Sequence, residues 1–459
     1  MDRTQTSNLR NRAVRWNLFC NIGDGALAIL ASSLVSPAFV VAPFLRRVGA
    51  SDSTIGFING GIPLMTFLIP LLAAGYMQAL PRKKKYITIG GAVQRMNYFV
   101  IAAAAMLLLP VHWKLFLAFY IMSTLLNHAA KQAVDPAWLD LVAKTTPVEK
   151  RGMLFAWRNS LGVFPTFFAA GVIAWMLNHP SLPFPSNYAM IFLVSGVCFA
   201  ISLGFVASVR ERGGKTKTAR VSIGRIFRDV PRVLRRDREY AMFILGQVVH
   251  GIGASMIGAF MALTAQDRFH LDDTATQWWS SVYMAITAGC GVAGNAFFAK
   301  VGDRKGHKFN MVIRGPLFIS GCTIALLAPD PLTFSFAFVL MTLGNTAVTV
   351  SQQPMAMEFC SERNRPRYTA IRSTVMMPLM TAGPLLGGVL RDHSSTELTF
   401  VIAIVLAAIA AWMQMKVRDP RGRGAQRRLL ALQAIQHGTR EAGSTEADGS
   451  TSRERPSER

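Results

Sequence analysis

The 459-residue sequence predicts an all-α membrane protein in which twelve transmembrane helices form two pseudo-symmetric six-helix bundles. Three observations support this prediction: a series of long apolar stretches, a one-sided distribution of basic residues and an internal repeat. The composition agrees, since 51% of the residues are hydrophobic and only 16% are charged. A soluble protein of this length needs more charge to cover its surface.

Twelve stretches contain the roughly 20 mostly apolar residues that a helix needs to cross the hydrocarbon core. Several contain Gly and Pro, which helices tolerate better in lipid than in water. The predicted spans cover approximately 16–43, 54–79, 87–110, 114–142, 153–177, 188–209, 240–265, 276–299, 309–328, 332–357, 368–390 and 397–417.

The basic residues lie mainly on one side of these spans. Most of the 49 lysines and arginines precede the first span, follow the last, or occupy alternate connecting segments. Positively charged loops stay in the cytoplasm, so we expect a multi-pass protein of the cell membrane with both termini cytoplasmic. This placement argues against nucleic acid as a partner and favours anionic membrane lipids. The opposite side carries only Arg46, Arg47, Lys114, Arg268 and Arg391.

The charge and apolar patterns divide the chain into five parts. A basic segment separates the two sets of six spans, and its apolar residues recur at helical spacing between arginines. That pattern predicts an amphipathic helix on the membrane surface, and 426–437 is expected to form a second one. The predicted parts are a cytoplasmic N-terminus (1–15), an N-terminal six-helix bundle (16–209), a basic amphipathic cytoplasmic linker (210–239), a C-terminal six-helix bundle (240–417) and a basic, partly disordered cytoplasmic tail (418–459).

Short motifs recur in the same order in both halves, which indicates a duplicated six-helix unit. The first and seventh spans share an amide, an ionisable residue three positions later and a glycine. The fourth and tenth spans share an asparagine, a proline and an acid. The matched sets are Asn21, Asp24 and Gly25 with Gln247, His250 and Gly251, and Asn127, Pro136 and Asp140 with Asn345, Pro354 and Glu358.

The loop after the eighth span resembles the cytoplasmic loop signature of the major facilitator superfamily, Gly-x-x-x-Asp-Arg-x-Gly-Arg-Lys. The resemblance covers 16 to about 417. It implies two bundles that rock about a central cavity lined mainly by spans one, four, seven and ten, with alternating access to a site near the midplane. The matching residues are Asp303, Arg304, Gly306, His307 and Lys308.

A second family motif stands in an unusual place. Gly-Pro-x-x-Gly-Gly in the fifth span resembles drug and proton antiporters, but here Gly383-Pro384-Leu-Leu-Gly387-Gly388 lies in the eleventh span. Uptake by symport and efflux by antiport therefore both remain open.

Ionisable side chains inside the hydrocarbon are costly, so each one indicates a partner or a function. Asp24 is interpreted as a lone carboxylate on a cavity helix, and His250 is its counterpart in the repeat. We predict that these two residues couple transport to protons, facing each other across the cavity. The alternative is structural: Asp24 as a hydrogen-bonding residue at a helix kink, and His250 as a satisfied core imidazole.

Polar residues on the predicted cavity helices are candidates for substrate binding. Neutral amides and hydroxyls suit hydrogen bonds to a polar solute, although they also join helices to one another. Lys131 indicates an anionic substrate or a counter-ion for Asp24, or else it pairs with Asp135 one turn away. The candidates are Asn21, Gln247, Asn127, Lys131, Asn345 and Thr349.

Charged residues of the cytoplasmic loops are predicted to form a gate. A carboxylate is favoured at a helix N-terminus, and the basic residues have acids at the ends of the fourth and tenth spans as partners. The alternative is that these charges only set the topology. The predicted gate comprises Asp303, Arg304, Lys308, Asp140, Glu358, Arg82 and Lys83.

Together these features predict a secondary active transporter that moves a small organic solute with protons, as a monomer and without a cofactor. No nucleotide-binding loop or metal-ligand spacing is present in the sequence. The alternative is a membrane enzyme that acts on a lipid-linked substrate. It would need catalytic acids on the outer face, where Asp267, Asp272 and Asp273 form the candidate cluster.

Overall fold

The computed structural model describes residues 3–79, 82–211, 223–360 and 365–419, and this part of the chain is helical without strands. Besides a π-helical turn at Pro37–Val41, its helices are α1 (Arg3–Leu34), α2 (Ala42–Val48), α3 (Asp52–Ala79), α4 (Lys84–Leu107), α5 (Trp113–Thr145), α6 (Val148–Leu177), α7 (Ser186–Ser208), α8 (Ile223–Arg236), α9 (Arg238–Gly258), α10 (Met261–Arg268), α11 (Asp273–Lys305), α12 (His307–Leu327), α13 (Pro331–Glu358), α14 (Arg365–Met380), α15 (Ala382–His393) and α16 (Thr396–Lys416).

Each predicted span coincides with one helix or with consecutive short helices. The first span is interrupted by the π-helical turn at Pro37, because proline lacks the N–H that would continue the α-helical pattern. The seventh span divides into α9 and α10, and the eleventh into α14 and α15. Pro384 lies in the first turn of α15, where its missing donor costs little.

Ten helical segments in the described residues are long and apolar enough to cross a membrane. They correspond to ten of the predicted spans. The remaining two, α4 and α5, have sufficient length at 24 and 33 residues but are more polar, with Arg95 in α4 and Lys131 in α5. The helical, multi-pass character is confirmed for the described residues, and the count of twelve spans stays a prediction.

Side-chain caps fix where several of the later helices begin. Asp237, Asp272, Asp330 and Ser395 precede α9, α11, α13 and α16, and each accepts a backbone N–H from the first turn. Such caps satisfy donors that have no partner inside the helix. At Asp330, hydrogen bonds from the backbone and side chain of Thr333 hold the pKa of the carboxyl below its usual value.

The helices pack mainly within two sets, which we call the N-terminal group (α1–α7) and the C-terminal group (α9–α16). In the N-terminal group α1 packs on α6 and α7, and α4 on α5 and α7. In the C-terminal group α12 packs on α13 and α16, and α9 on α15 and α16. The groups meet where α3 contacts α14 and α15, and where α6 contacts α11.

The Gly-Pro-x-x-Gly-Gly motif lies at the closest of these contacts. A Cβ atom at Gly388 would overlap the backbone of Asp52 in α3, and one at Gly387 would overlap the backbone of Met256 in α9. In α3, Gly56 lies equally close to the carbonyl of Pro384. The glycines of this motif therefore allow α15 to pack tightly against both α3 and α9.

The predicted linker helix is present as α8, and part of its apolar side contacts protein. Val233 is buried in a cluster with Tyr240 and Phe359, and Phe227 contacts the ring of Phe67 in α3. Arg232 stays exposed on the other side. Contact of α8 with the membrane surface stays a prediction. The predicted helix at 426–437 and the tail from 420 onward lie outside the described residues.

Candidate functional site

Asp24 lies at the centre of a buried ion-pair cluster in the N-terminal group. Arg95 donates from Nη2 to Asp24 Oδ1 at 2.7 Å, and Arg158 donates from Nη1 to Oδ2 at 2.8 Å. Ser202 adds a hydrogen bond to Oδ1 at 2.8 Å. The Asp24 side chain is 1% exposed. The interpretation of Asp24 as a lone carboxylate is therefore wrong, because two guanidinium groups neutralise it.

This cluster joins four helices, since Asp24 belongs to α1 and its partners to α4, α6 and α7. Arg158 also lies over the ring of Trp138, 4.3 Å from the centroid. A Cβ atom at Gly25 would overlap the Arg158 side chain, which explains the glycine next to Asp24. The sequence contains a signal for this cluster. Asp24, Arg95 and Arg158 all lie within predicted spans, and none of them has an oppositely charged residue nearby in its own helix.

His250 occupies a different environment in the C-terminal group. Its imidazole is buried, at 4% exposed, and meets the Phe318 ring edge-on with 4.8 Å between centroids. It lines a cavity of about 350 Å³ together with Arg314, Asn345 and Ser255. All the contacts described for Asp24 lie in the N-terminal group, so the structure does not bring Asp24 and His250 together. Their predicted approach across a cavity is not observed in this conformation.

Arg314 was not selected from the sequence, although it is the charged residue of that cavity. It belongs to α12, the predicted ninth span, which is not among the spans expected to line the cavity. Within the described part of the chain, its guanidinium has neither a hydrogen bond nor an ion pair. Its position within a predicted span is the sequence feature that marks it as a candidate, and the same is true of Arg95.

The candidate substrate residues of the N-terminal group have protein partners. Asn127 donates to the Gln94 carbonyl at 2.7 Å and lines a small cavity of about 50 Å³. Asn21 is buried and donates to the Asn17 carbonyl at 2.8 Å. Lys131 pairs with Asp135 at 2.8 Å, which is the alternative that required no ligand.

The corresponding residues of the C-terminal group are more varied. Asn345 lines the 350 Å³ cavity with its side chain exposed. Thr349 donates to the Asn345 carbonyl at 2.8 Å, within its own helix. Gln247 is buried away from this cavity, and neither atom of its amide has a hydrogen-bond partner among the described residues. Of the predicted binding residues in this group, Asn345 lines the cavity, together with His250, the candidate for proton coupling.

The predicted gate residues of the N-terminal group form ion pairs within that group. Lys83 Nζ lies 2.7 Å and Lys144 Nζ 3.0 Å from the Asp140 carboxylate. The backbone N–H groups of Lys83 and Lys84 donate to Glu211 at the end of α7. These contacts join α4, α5 and α7 rather than the two groups. Arg82, predicted to face Asp140 with Lys83, is exposed.

The gate residues of the C-terminal group lie at the same end of the molecule. Asp303 and Arg304 are exposed in the last turn of α11, Lys308 lies in the first turn of α12, and Glu358 ends α13. Their gating role stays a prediction.

A second charged network joins the two groups at the end of the molecule opposite the termini, here called the distal end. Arg391 donates from Nε to Asp52 Oδ2 at 2.9 Å and from Nη2 to Asp267 Oδ2 at 2.6 Å. Arg46 also binds both of these acids. The carboxylate of Asp392 accepts the backbone N–H of Asp52 at 3.0 Å. We call this set the distal network.

The acids that the enzyme hypothesis requires as catalytic groups have protein partners at the distal end. Asp267 belongs to the distal network, Asp273 pairs with Arg47 at 3.1 Å, and Asp272 caps α11 through the Ala275 N–H. From the sequence, Arg46, Arg47 and Arg391 indicated topology alone. The sequence feature that would have predicted the distal network is that acids and arginines occur together at this end of the predicted spans.

Comparison with known proteins gives a consistent result. The model of the Major Facilitator Superfamily matches residues 243–441. An uncharacterized MFS-type transporter of Mycobacterium tuberculosis is 27% identical over 198 residues, which cover 41% of this chain and 27% of the relative. The MFS-type transporter ppz2 of Metarhizium majus is 26% identical over 30% of this chain and 23% of its own length. The chain thus spans about a quarter of the length of these relatives.

Solved structures match over most of the chain. The nucleoside transporter NupG superposes with a TM-score of 0.64 at 13% identity, covering 87% of this chain and 98% of that one. A D-xylose-proton symporter superposes with a TM-score of 0.65 at 12% identity, covering 89% and 99%. At such identities the likeness concerns the fold.

Proposed function

We propose that this chain, which belongs to the major facilitator superfamily, is a secondary active transporter that moves a small organic solute across the cell membrane by alternating access. The observation that carries the proposal is the distal network, in which ion pairs join the N-terminal and C-terminal groups at one end of the molecule. Ion pairs between two packed bodies can break and reform without loss of either core, as alternating access requires.

The basic residues give this transporter its orientation. With both termini in the cytoplasm, the distal end faces outward. The conformation is then closed toward the outside by the distal network, and by the tight packing of Gly388 on the backbone of Asp52. Movement of the C-terminal group away from α3 would expose Arg391 and Asp52 to water, where each charge is solvated.

We propose proton coupling through His250 rather than through Asp24. A proton carrier needs contact with a cavity and freedom to change its hydrogen bonds. His250 lines the cavity and has no hydrogen bond to the described residues, and Arg314 is the charged group that faces this cavity with it. Asp24 is held by two arginines and a serine. Its proposed role is to hold α1, α4, α6 and α7 together.

Symport and antiport are both compatible with this arrangement. The D-xylose-proton symporter that shares the fold couples a sugar to protons, and the proposal extends proton coupling to this chain. The enzyme hypothesis is weaker, because the acids that it requires are bound by Arg46, Arg47 and Arg391 or cap a helix.

The proposal is tested in proteoliposomes that contain a pH-sensitive dye. A library of small solutes is added across an imposed pH gradient, and proton movement is recorded for each compound. We expect at least one solute to move protons and to exchange with its labelled form. The His250→Gln variant should lose the proton signal and keep the exchange, and Lys300→Gln, which removes an exposed cation of α11, serves as the control.

Two results would contradict the proposal. Solute exchange without proton movement in the unmodified protein would exclude coupling but leave transport. Absence of exchange for every compound that stabilises the purified protein would exclude transport itself.

A further inference from the structure

The two groups of helices carry the same arrangement of ionisable residues with one difference. Asp24, Arg95 and Arg158 lie in the first, third and fifth spans of the N-terminal half. The residues at similar separations in the C-terminal half are His250, Arg314 and Arg372, again in the first, third and fifth spans. The arginines are therefore repeated, but an imidazole replaces the carboxylate.

Among the described residues, this replacement leaves the C-terminal arginines without a carboxylate partner. In the N-terminal group both arginines bind Asp24. In the C-terminal group Arg372 donates to the carbonyl of Gln352 at 3.2 Å. Arg314 has no hydrogen bond or ion pair within the described residues. A guanidinium held inside a protein without an anion is unfavourable, so a bound anion would stabilise it.

The surroundings of Arg314 provide room for such an anion. The cavity of about 350 Å³ is within the range of small-molecule sites. Besides Arg314 it presents His250, Asn345 and Ser255 as polar groups. The remaining lining includes Phe318, and it is mostly apolar. The site thus combines a cationic contact with an apolar wall.

We infer that this cavity binds a small organic anion whose carboxylate contacts Arg314, in the place that Asp24 takes in the N-terminal group. Arginine suits this role because its planar donors match both oxygens of a carboxylate. The His250 imidazole and the Asn345 amide supply further N–H donors. The apolar body of the ligand packs against Phe318. This inference rests on the proposed function, since the anion would be the solute transported.

Binding is tested with phenylacetate and its neutral isostere phenylacetamide on the purified full-length protein in detergent. The readouts are thermal stability and isothermal titration calorimetry. We expect phenylacetate to bind and to raise the melting temperature, and phenylacetamide to do neither. Arg314→Gln should weaken phenylacetate binding by about tenfold or more, as expected for the loss of hydrogen bonds to a charged group. Lys300→Gln, which removes an exposed cation of α11, should bind normally.

A second variant supplies the anion from the protein. His250→Asp should pair with Arg314, raise the melting temperature of the protein without ligand and abolish the response to phenylacetate. His250→Asn, which has a similar size but no charge, should not raise it. This comparison remains informative even if Arg314→Gln does not fold.

The inference is overturned if phenylacetate does not bind up to its solubility limit, if phenylacetamide binds equally well, or if Arg314→Gln folds and binds phenylacetate normally. An unchanged or lowered melting temperature of His250→Asp would also contradict it. The measurement uses no gradient and no membrane. Phenylacetate binding without transport would therefore exclude the proposed function but support the anion site. Transport without phenylacetate binding would support the proposed function but exclude the anion site.

Discussion

Arg391 and Asp52 join the two groups of helices across the distal end, with 2.9 Å between Nε and Oδ2 and side chains only 2% and 7% exposed. They lie 339 positions apart in the chain. A buried ion pair of this kind adds little net stability, but removal of one partner leaves a costly unpaired charge. The pair therefore fixes how the groups meet more than how firmly each is folded.

The close packing beneath this pair gives the first prediction. Gly388→Ala should disfavour the conformation closed at the distal end, because its Cβ atom would overlap the backbone of Asp52. Gly171→Ala is the matched control, since nothing lies within 4 Å of a Cβ atom there. Labelling of a single introduced cysteine, Ser53→Cys, by a membrane-impermeant maleimide should be faster with Gly388→Ala. Equal labelling rates in the two glycine variants would show that the contact does not limit opening.

The second prediction concerns the buried cluster around Asp24. Asp24→Asn should destabilise the protein by roughly 3–5 kcal/mol, because Arg95 and Arg158 lose their common anion. Asp135→Asn breaks the exposed pair with Lys131 and should cost about 0.3–0.5 kcal/mol. Chemical unfolding in detergent compares the two variants. Similar unfolding midpoints would mean that the cluster does not hold α1 in place, and would restore Asp24 as a candidate for proton coupling.

The third prediction compares the effects on stability of replacing two neighbouring basic residues of the predicted gate, Lys83 and Arg82. Lys83→Gln should lower the free energy of unfolding by about 1.5–3 kcal/mol, the usual value for a hydrogen bond to a charged group. Lys83 is nearly buried against Asp140, whereas Arg82 is exposed. Arg82→Gln should therefore change stability by no more than about 0.5 kcal/mol. If Arg82→Gln proves the more damaging variant, the pairing between Lys83 and Asp140 is not what stabilises this end.

The helices could be predicted from the sequence because long apolar stretches report burial in lipid directly. Their interruptions were harder to predict, since Pro37 breaks its span and Pro384 stands inside a first turn, and the residue type alone does not distinguish these cases. The linker helix α8 was predicted from its spacing. Its contact with Phe67 of α3 was not, because an apolar face has the same pattern whether lipid or protein covers it.

The sites were harder to predict, because their partners are far apart in sequence. Asp24 had no acid or base within a helical turn, and so it was interpreted as lone, whereas Arg95 and Arg158 reach it from other helices. The repeat paired Asp24 with His250 by position, but it carried no information on whether they face each other. Extending that correspondence to Arg95 and Arg314 required the structure, in which Arg95 binds a carboxylate and Arg314 has no such partner among the described residues.

The central claim, that the two groups of helices alternate between two arrangements, is tested most directly by distances between spin labels. One pair, Lys114→Cys with Ser394→Cys, reports on the distal end, and a second, Arg82→Cys with Lys305→Cys, reports on the opposite end. The native cysteines are replaced first, and each pair is measured by pulsed electron paramagnetic resonance with and without Arg391→Gln.

Arg391→Gln removes the ion pair with Asp52, one of the contacts that hold the groups together at the distal end. It should produce a second population with a longer distal distance and a shorter distance at the opposite end. Distances that stay the same at both ends, or that lengthen together at both ends, would contradict alternating access.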